Sequence, residues 1–289
     1  MERNRQLATW TGSILGIFLA LLLNVALAHA RDNDDTVVTE EFHQTYPLTA
    51  NGRVQLENIN GAVHISVSDR NEVKVDAVKR AYNEQLLKDA EIRIEPRADS
   101  ISIQTEYVRQ ERWRDEYHNP ASVEYTLVVP RNARLDEIKL INGALEITGV
   151  TGEVHASCIN GRLTAHGLTG QVNLTNVNGQ LAANFDRLQA APIELSSVNG
   201  PLELTLPSDA KASIEATTVH GGINNDFGLH TNRFVGHDLR GELGGGGVQI
   251  KLNNVNGRID VRHANDGRAL SPARSTNGTA ERTVFKQAW

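Results

Sequence analysis

INGALEITGVTGEVHASCINGRLTAHGLTGQVNLTNVNG, residues 141–179, decides the fold. An aliphatic residue followed by Asn-Gly recurs in it at Ile141-Asn142-Gly143, Ile159-Asn160-Gly161 and Val177-Asn178-Gly179, 18 residues apart each time. Between these lie Gly149-Val150-Thr151-Gly152 and Gly167-Leu168-Thr169-Gly170, also 18 apart. Gly143, Gly152, Gly161, Gly170 and Gly179 therefore fall at a constant interval of nine. A fixed period of this kind marks a repeat architecture, in which each unit buries its apolar face by stacking on the next.

Outward from this stretch, the same turn stands upstream at Ile59-Asn60-Gly61. Downstream it recurs at Val198-Asn199-Gly200 and Val255-Asn256-Gly257, with Val219-His220-Gly221 as an altered copy. The spacings from Asn142 onward are 18, 18, 21, 21 and 36. After each of nine turn glycines the second and fourth residues form one series, running from Val63 and Ile65 to Ile259 and Val261. They are apolar in 17 of 18 cases, Asn225 being the exception. The first and third residues are mostly polar, as in Glu153 and His155. Alternation of period two, punctuated by Asn-Gly, predicts short strands with one buried face.

Asn-Gly also suits two-residue antiparallel hairpins. The alternation of two turn chemistries and the recurrence of residue columns at 18 favour a coil, with strand i stacked on strand i+18 about 4.8 Å away. The expected fold is all-β, a parallel solenoid with two short strands per 18-residue repeat. In it Asn60, Asn142, Asn160, Asn178, Asn199 and Asn256 stack as a hydrogen-bonded column with a structural role. Gly61, Gly143, Gly161, Gly179, Gly200 and Gly257 turn the chain beside them.

Composition sets the outer limits. The 289 residues are 39% hydrophobic, which excludes a wholly disordered chain. Aromatics are only 5%, too few for surfaces built to stack on sugars or bases. A formal charge of -6 disfavours broad nucleic-acid binding. The single cysteine, Cys158, excludes an intrachain disulfide framework and a Cys-based zinc site; it reads as a small residue filling a repeat column.

Arg3 and Arg5, the apolar run Ile14 to Leu27, and Ala28-His29-Ala30 form the three parts of a cleavable secretory signal over residues 1–30. An uncleaved anchor is the alternative, but the run holds about 14 to 17 residues against roughly 20 needed to span a bilayer. The expected protein is exported to the periplasm or cell surface, without a membrane span after signal cleavage. Residues 31–39 read as a flexible N-terminus. Residues 40–262 read as the solenoid body, irregular and strand-rich over 40–135 and regular over 136–262. Residues 263–289 read as a disordered tail. A short helix is expected over Asn83 to Ala90, where Leu86, Leu87 and Ala90 share a face. Val129-Pro130-Arg131-Asn132-Ala133-Arg134 and Leu206-Pro207-Ser208-Asp209-Ala210-Lys211 form a second, longer repeat.

With the export signal, the V/I-N-G turns, these two connectors and the stretch GELGGGGVQIKLNNVNG at 241–257, residues 40 to 262 resemble the bacterial putative-adhesin family of exported envelope proteins, related to the head-GIN type. The resemblance implies a right-handed β-helix-like solenoid and an exported location, and it transfers no active site. His220 and the 36-residue gap before Asn256 depart from the pattern.

Candidate chemistry is sparse. Gly244 to Gly247 is followed by Val248-Gln249 rather than the Lys and hydroxyl residue of a phosphate loop. The aspartates of a calcium-binding nonapeptide coil are missing. His64, His155, His166, His220, His230, His237 and His263 show no spacing that pairs two metal ligands. Glu146, Glu153, Glu203 and Asp260 are expected to face outward, the arrangement a carbohydrate-active enzyme on a β-helix would use; no Trp or Tyr accompanies them between Lys139 and Val261. One segment combines aromatics with arginines, the residue types enriched at interface hot spots. It contains Tyr107, Arg109, Arg112, Trp113, Arg114 and Tyr117, a candidate contact with an envelope protein or surface polymer. The expected function is a non-enzymatic structural or interaction module of the cell envelope, with no cofactor. An accessory role in an envelope-stress system and a carbohydrate-active enzyme are the alternatives.

Overall fold

The computed structural model describes residues 37–107, 121–232 and 237–276. The signal segment 1–30 and five of the six candidate contact residues, Arg109, Arg112, Trp113, Arg114 and Tyr117, lie outside the described residues.

The N-terminal part comprises β1 (Val38–Pro47), β2 (Arg53–Asn60), β3 (Val63–Ser68), β4 (Glu72–Ala81), α1 (Glu84–Asp89), β5 (Ala90–Pro96), β6 (Ser100–Tyr107) and β7 (Ser122–Pro130). The regular coil follows as β8 (Arg134–Asn142), β9 (Leu145–Thr148), β10 (Val154–Asn160), β11 (Leu163–His166), β12 (Val172–Asn178), β13 (Leu181–Asn184), β14 (Ile193–Asn199) and β15 (Leu202–Leu206). The C-terminal part comprises β16 (Ala212–His220), β17 (Ile223–Asn225), β18 (Thr231–Asn232), β19 (His237–Leu243), β20 (Val248–Asn256), β21 (Ile259–His263) and β22 (Ala273–Ser275).

Each turn of the coil contributes one strand to each of two sheets. β8, β10, β12 and β14 stack in parallel in one sheet, and β9, β11, β13 and β15 in the other. Val154 lies beside Val172 and Leu163 beside Leu181, the i to i+18 register of a solenoid rather than of successive hairpins. From β12 to β14 the offset is 21 (Val172 beside Ile193), because three extra residues are absorbed in the turn between β13 and β14. The 17 apolar positions of the alternation all lie in the core between the sheets, from Val63 and Ile65 to Ile259 and Val261. Each large aliphatic side chain removed from water there contributes roughly 1.5–3 kcal/mol before chain entropy is subtracted.

The order of the rungs departs from the order of the chain. β14 is followed in its sheet by β20, and β16 lies beyond β20; likewise β15 is followed by β21 and then β17. The last rung is thus inserted between the two that precede it, which accounts for the 36-residue gap. Why β16–β17 stands outermost is local. Asn225, the polar exception among the inward positions, exchanges two 2.8 Å hydrogen bonds with the backbone of Leu229. A rung whose inner face ends in a satisfied amide terminates a stack without leaving a polar group orphaned. The far edge of β16 is then covered by antiparallel β19.

At the other end the second copy of the connector logic appears. Ala133 N donates to Pro130 O at 2.9 Å and Ala210 N to Pro207 O at 3.1 Å, so both Pro-containing connectors make the same turn, carrying the chain from one sheet to the other. β2–β3 is the first rung, beside β8–β9, and the strands β7, β4 and β1 on one sheet and β6 and β5 on the other extend past it. α1 joins β4 to β5 with Asn83 as N-cap, its Oδ1 accepting from Leu86 N at 2.9 Å. Leu86 and Leu87 are buried, as the helical face requires; Ala90, expected on that face, is also buried but is the extended C-cap residue that begins β5. Tyr125, wholly buried on β7, shares a 2.8 Å hydrogen bond with Thr105 on β6 and so ties the two sheets at this end; burial pushes its phenol well up.

Two boundaries differ from the sequence reading. β1 begins at Val38 and pairs with β4 along its whole length, so residues 38 and 39 belong to the sheet. Beyond 263 the chain is also organised as far as 276. Ala264 N donates to Leu206 O, Ser271 Oγ to Ala210 O at 2.7 Å, and β22 pairs with β19. These contacts are made by scattered Ser, Asp and backbone groups, which leave no periodic trace in sequence.

Candidate interaction surface

The V/I-N-G turns line one edge of the coil and build three parallel columns there. The middle column is the turn asparagines. Asn142 Nδ2 donates to Asn60 Oδ1 at 2.8 Å, Asn160 to Asn142 at 2.9 Å, Asn178 to Asn160 at 2.8 Å, Asn199 to Asn178 at 2.9 Å, and Asn256 to Asn199 at 2.9 Å. His220 lies in register with Asn256 at the outer end. All five amides donate in the same direction, so each bond polarises the next.

The second column lies inside, two residues before each turn asparagine. It comprises Asn58, Leu140, Cys158, Asn176, Ser197, Asn254 and Thr218, all buried and in register. Most of these side chains reach a backbone carbonyl of the neighbouring rung or strand. Asn58 Nδ2 donates to Val123 O at 2.8 Å, Asn176 to Gly161 O at 3.2 Å, Asn254 to Gly200 O at 2.9 Å and Thr218 Oγ1 to Gly257 O at 3.0 Å. Each such bond contributes about 0.5–1.5 kcal/mol. The sequence carried this signal: six of the seven residues at that position are amides, hydroxyls or the thiol.

Cys158 is a member of this column, with Sγ 3.5 Å from Gly143 O. Burial pushes its thiol up to about 11. The thiolate is the reactive form, so alkylation by iodoacetamide at pH 8 is expected only as the chain unfolds, at a rate that tracks denaturant. Cys158→Ser is expected to cost no more than about 1 kcal/mol, since Ser197 already occupies an equivalent place. Rapid labelling of the folded protein would contradict this.

The third column faces solvent, one residue before each turn asparagine. Ile141, Ile159, Val255 and Val219 are 36%, 41%, 41% and 56% exposed, and Ile59, Val177 and Val198 are half-buried in line with them. Seven rungs span six steps of about 4.8 Å, giving an aliphatic stripe roughly 29 Å long. Beside it Ser157, Thr175, Ser196, Asn253 and Thr217 form a column in register. From β10 to β16 the face is therefore an uncharged strip of amides, aliphatic side chains and small polar groups. Ion pairs border it: Lys139 with Glu57 at 3.1 Å, Lys251 with Glu194 at 3.7 Å and Arg240 with Glu215 at 2.8 Å.

The other candidates are placed as follows. Glu146, Glu153 and Glu203 face outward, paired with His64 (3.1 Å), Arg134 (3.1 Å) and Arg262 (3.2 Å) respectively. Asp260 is nearly buried, against the outward expectation, because Asn224 donates to it at 2.8 Å and Arg258 pairs with it at 2.7 Å. Among the described residues no three His, Cys, Asp or Glu side chains gather to hold a metal ion. Nor does any described helix have the length and apolar character to cross a membrane. Gly244 to Gly247 leads into β20. Tyr107, the described member of the aromatic and arginine segment, ends β6; its hydroxyl donates to Ala121 O at 2.6 Å and joins the two ends of residues 108–120.

The family model described as Toastrack DUF4097 matches residues 48–262. The chain belongs to this family. No curated protein matches it in sequence. Among solved structures, a putative cell adhesion protein from Clostridium sporogenes is similar at 13% identity and a TM-score of 0.48, covering 78% of this chain and 100% of that one. A putative adhesin from Bacteroides fragilis is similar at 11% identity and 0.30, covering 78% and 97%. A putative lipid binding protein from Parabacteroides distasonis is similar at 10% and 0.32, covering 77% and 96%. The Toastrack chain described above is a nearly all-β solenoid whose two sheets remain open.

Proposed function

We propose that this Toastrack protein is an exported, non-enzymatic contact module of the bacterial cell envelope, adhesin-like in that it holds a partner protein along its outer face. The observation that carries the reading is the uncharged strip from β10 to β16. A continuous aliphatic column at the surface is uncommon in a monomeric protein, and depletion of charge at the centre with charge at the border is the composition of an interface. The outward carboxylates are each engaged by a cation or a histidine, which fits a surface of ion pairs better than an acid and base pair poised for hydrolysis. The export signal read at residues 1–30 supports the envelope location.

The test is binding of the protein to isolated envelopes of its own cells, compared with Val177→Lys combined with Val198→Lys. Two lysines in the middle of the strip are expected to lower the bound fraction tenfold or more, because each must be desolvated without a counter-charge. Equal binding by both proteins, with matching circular dichroism, sinks the proposal. A second contact through residues 107–117 is favoured by the Tyr107 clamp at the base of that segment. Trp113→Ala with Arg112→Ala separates the two: loss there, and none in the strip variant, moves the contact to the segment.

A further inference from the structure

The opposite edge of the coil breaks the repeat in three places at once. The three-residue insertion between β13 and β14, the connector before β16 and the start of the inserted strand β20 come together there around an open groove of about 840 Å³. That volume lies within the usual range for small-molecule sites. Insertions in repeat proteins gather on one face, often the one that binds.

The groove has two chemistries. Leu188, Ala190, Pro192, Pro207, Ala210 and Val248 give it an aliphatic lining with no aromatic ring. At its rim stand Arg187, Lys211 and Arg268, with Asp209 the single carboxylate in the lining. Arg268 is neutralised locally, 2.9 Å from Asp209 and 3.5 Å from Asp266. Arg187 and Lys211 make no ion pair among the described residues. The chain has a formal charge of -6 and most of its described Lys and Arg are paired with a carboxylate; besides Arg187 and Lys211 only Arg162 and Arg274 are not, and two of these four cations stand at this one apolar groove. Sugars are a poor match, because the lining offers no ring to stack on.

We propose that this groove binds a single-chain anionic amphiphile, the alkyl chain lying against the aliphatic lining and the phosphate or carboxylate head held by Arg187 and Lys211. The site is separate from the outer strip, and the two proposals stand or fall independently.

The experiment is isothermal titration calorimetry of the protein expressed from the full 289-residue sequence, with dodecyl phosphate below its micelle concentration. Dodecyl maltoside and inorganic phosphate serve as the neutral-headed and chainless probes. The double variant Arg187→Gln, Lys211→Gln retains the same apolar N-terminal segment, so any binding there cancels. Dodecyl phosphate is expected to bind saturably with a negative heat-capacity change. The variant is expected to bind it about tenfold more weakly, and added salt to weaken the wild type but not the variant. Inorganic phosphate is expected to give no saturable heat. Equal affinity for the maltoside and the phosphate amphiphiles would overturn the role of the cations, as would unchanged affinity in the variant. Inorganic phosphate binding as tightly as dodecyl phosphate would overturn the role of the aliphatic lining.

Discussion

Gly179→Val is expected to lose about 4 kcal/mol or more of folding free energy, enough to leave a marginal protein largely unfolded. Two costs combine. Gly179 has φ of +128°, a region that a β-branched residue enters only with strain of about 1–3 kcal/mol. A Cβ at this position would also fall far inside van der Waals contact distance of Gly161 O, which belongs to the rung beneath. Backbone is the obstacle, and it cannot swing aside as a side chain would. Gly200 stands on Gly179 O in the same way, so a displaced Gly179 disturbs the rung above as well. Gly222 is the matched control: no atom lies within 4 Å of its added Cβ, and Gly222→Ala is expected to change stability by no more than about 0.5 kcal/mol. Urea unfolding of the two variants checks this, and a Gly179→Val midpoint close to that of the wild type would refute the stacked-turn account.

Leu252→Asp is expected to act differently, by detaching one end of the molecule. Leu252 is fully buried on the inserted strand β20, between Leu195 of β14 and Ala216 of β16. A carboxylate there has no cation to meet and several kcal/mol of desolvation to overcome. In a coil whose rungs contact only their neighbours, such damage stays local. β20 is what joins β16 and β19 to the rest of their sheet, so amides of β16, β19 and β20 are expected to lose exchange protection while those of β8, β10 and β12 retain it. Hydrogen exchange read by mass spectrometry distinguishes this from uniform loss, and uniform loss would mean that the rungs do not behave as a linear array.

What the sequence disclosed and what it hid follow from the range of the interactions. The 18-residue columns were legible because each strand's alternation is local and the neighbouring rung repeats it. Asn142, Asn160 and Asn178 announce their own ladder. The place of β20 was not legible, because His220 follows Asn199 by the same 21 residues that separate Asn199 from Asn178, so spacing alone stacks β16 directly on β14. Only the bonds of Asn225 to Leu229, invisible until the side chain is placed, and the antiparallel cover by β19, a long-range contact, mark β16–β17 as the outer rung. The aliphatic residue before each turn asparagine was visible as part of a motif, yet its exposure was not. A valine in V-N-G looks like a core residue until the strand's phase shows that Asn176, the residue just before Val177, is the one turned inward. For the groove there was no signal at all, since Arg187, Lys211 and Val248 meet only after the rungs have been reordered.

That reordering also bears on force. In a simple coil the last turn is held by one neighbour, and tension on the chain beyond it unzips a single set of contacts at a time. Here the final turn, β20–β21, is gripped on both sides, by β14–β15 and by β16–β17. Pulling on the C-terminal side must slide it lengthwise out of two ladders together, so the load is shared by many hydrogen bonds at once. A coil built this way resists traction from its C-terminal end more than its modest number of turns would suggest, a property that would serve the contact role proposed above.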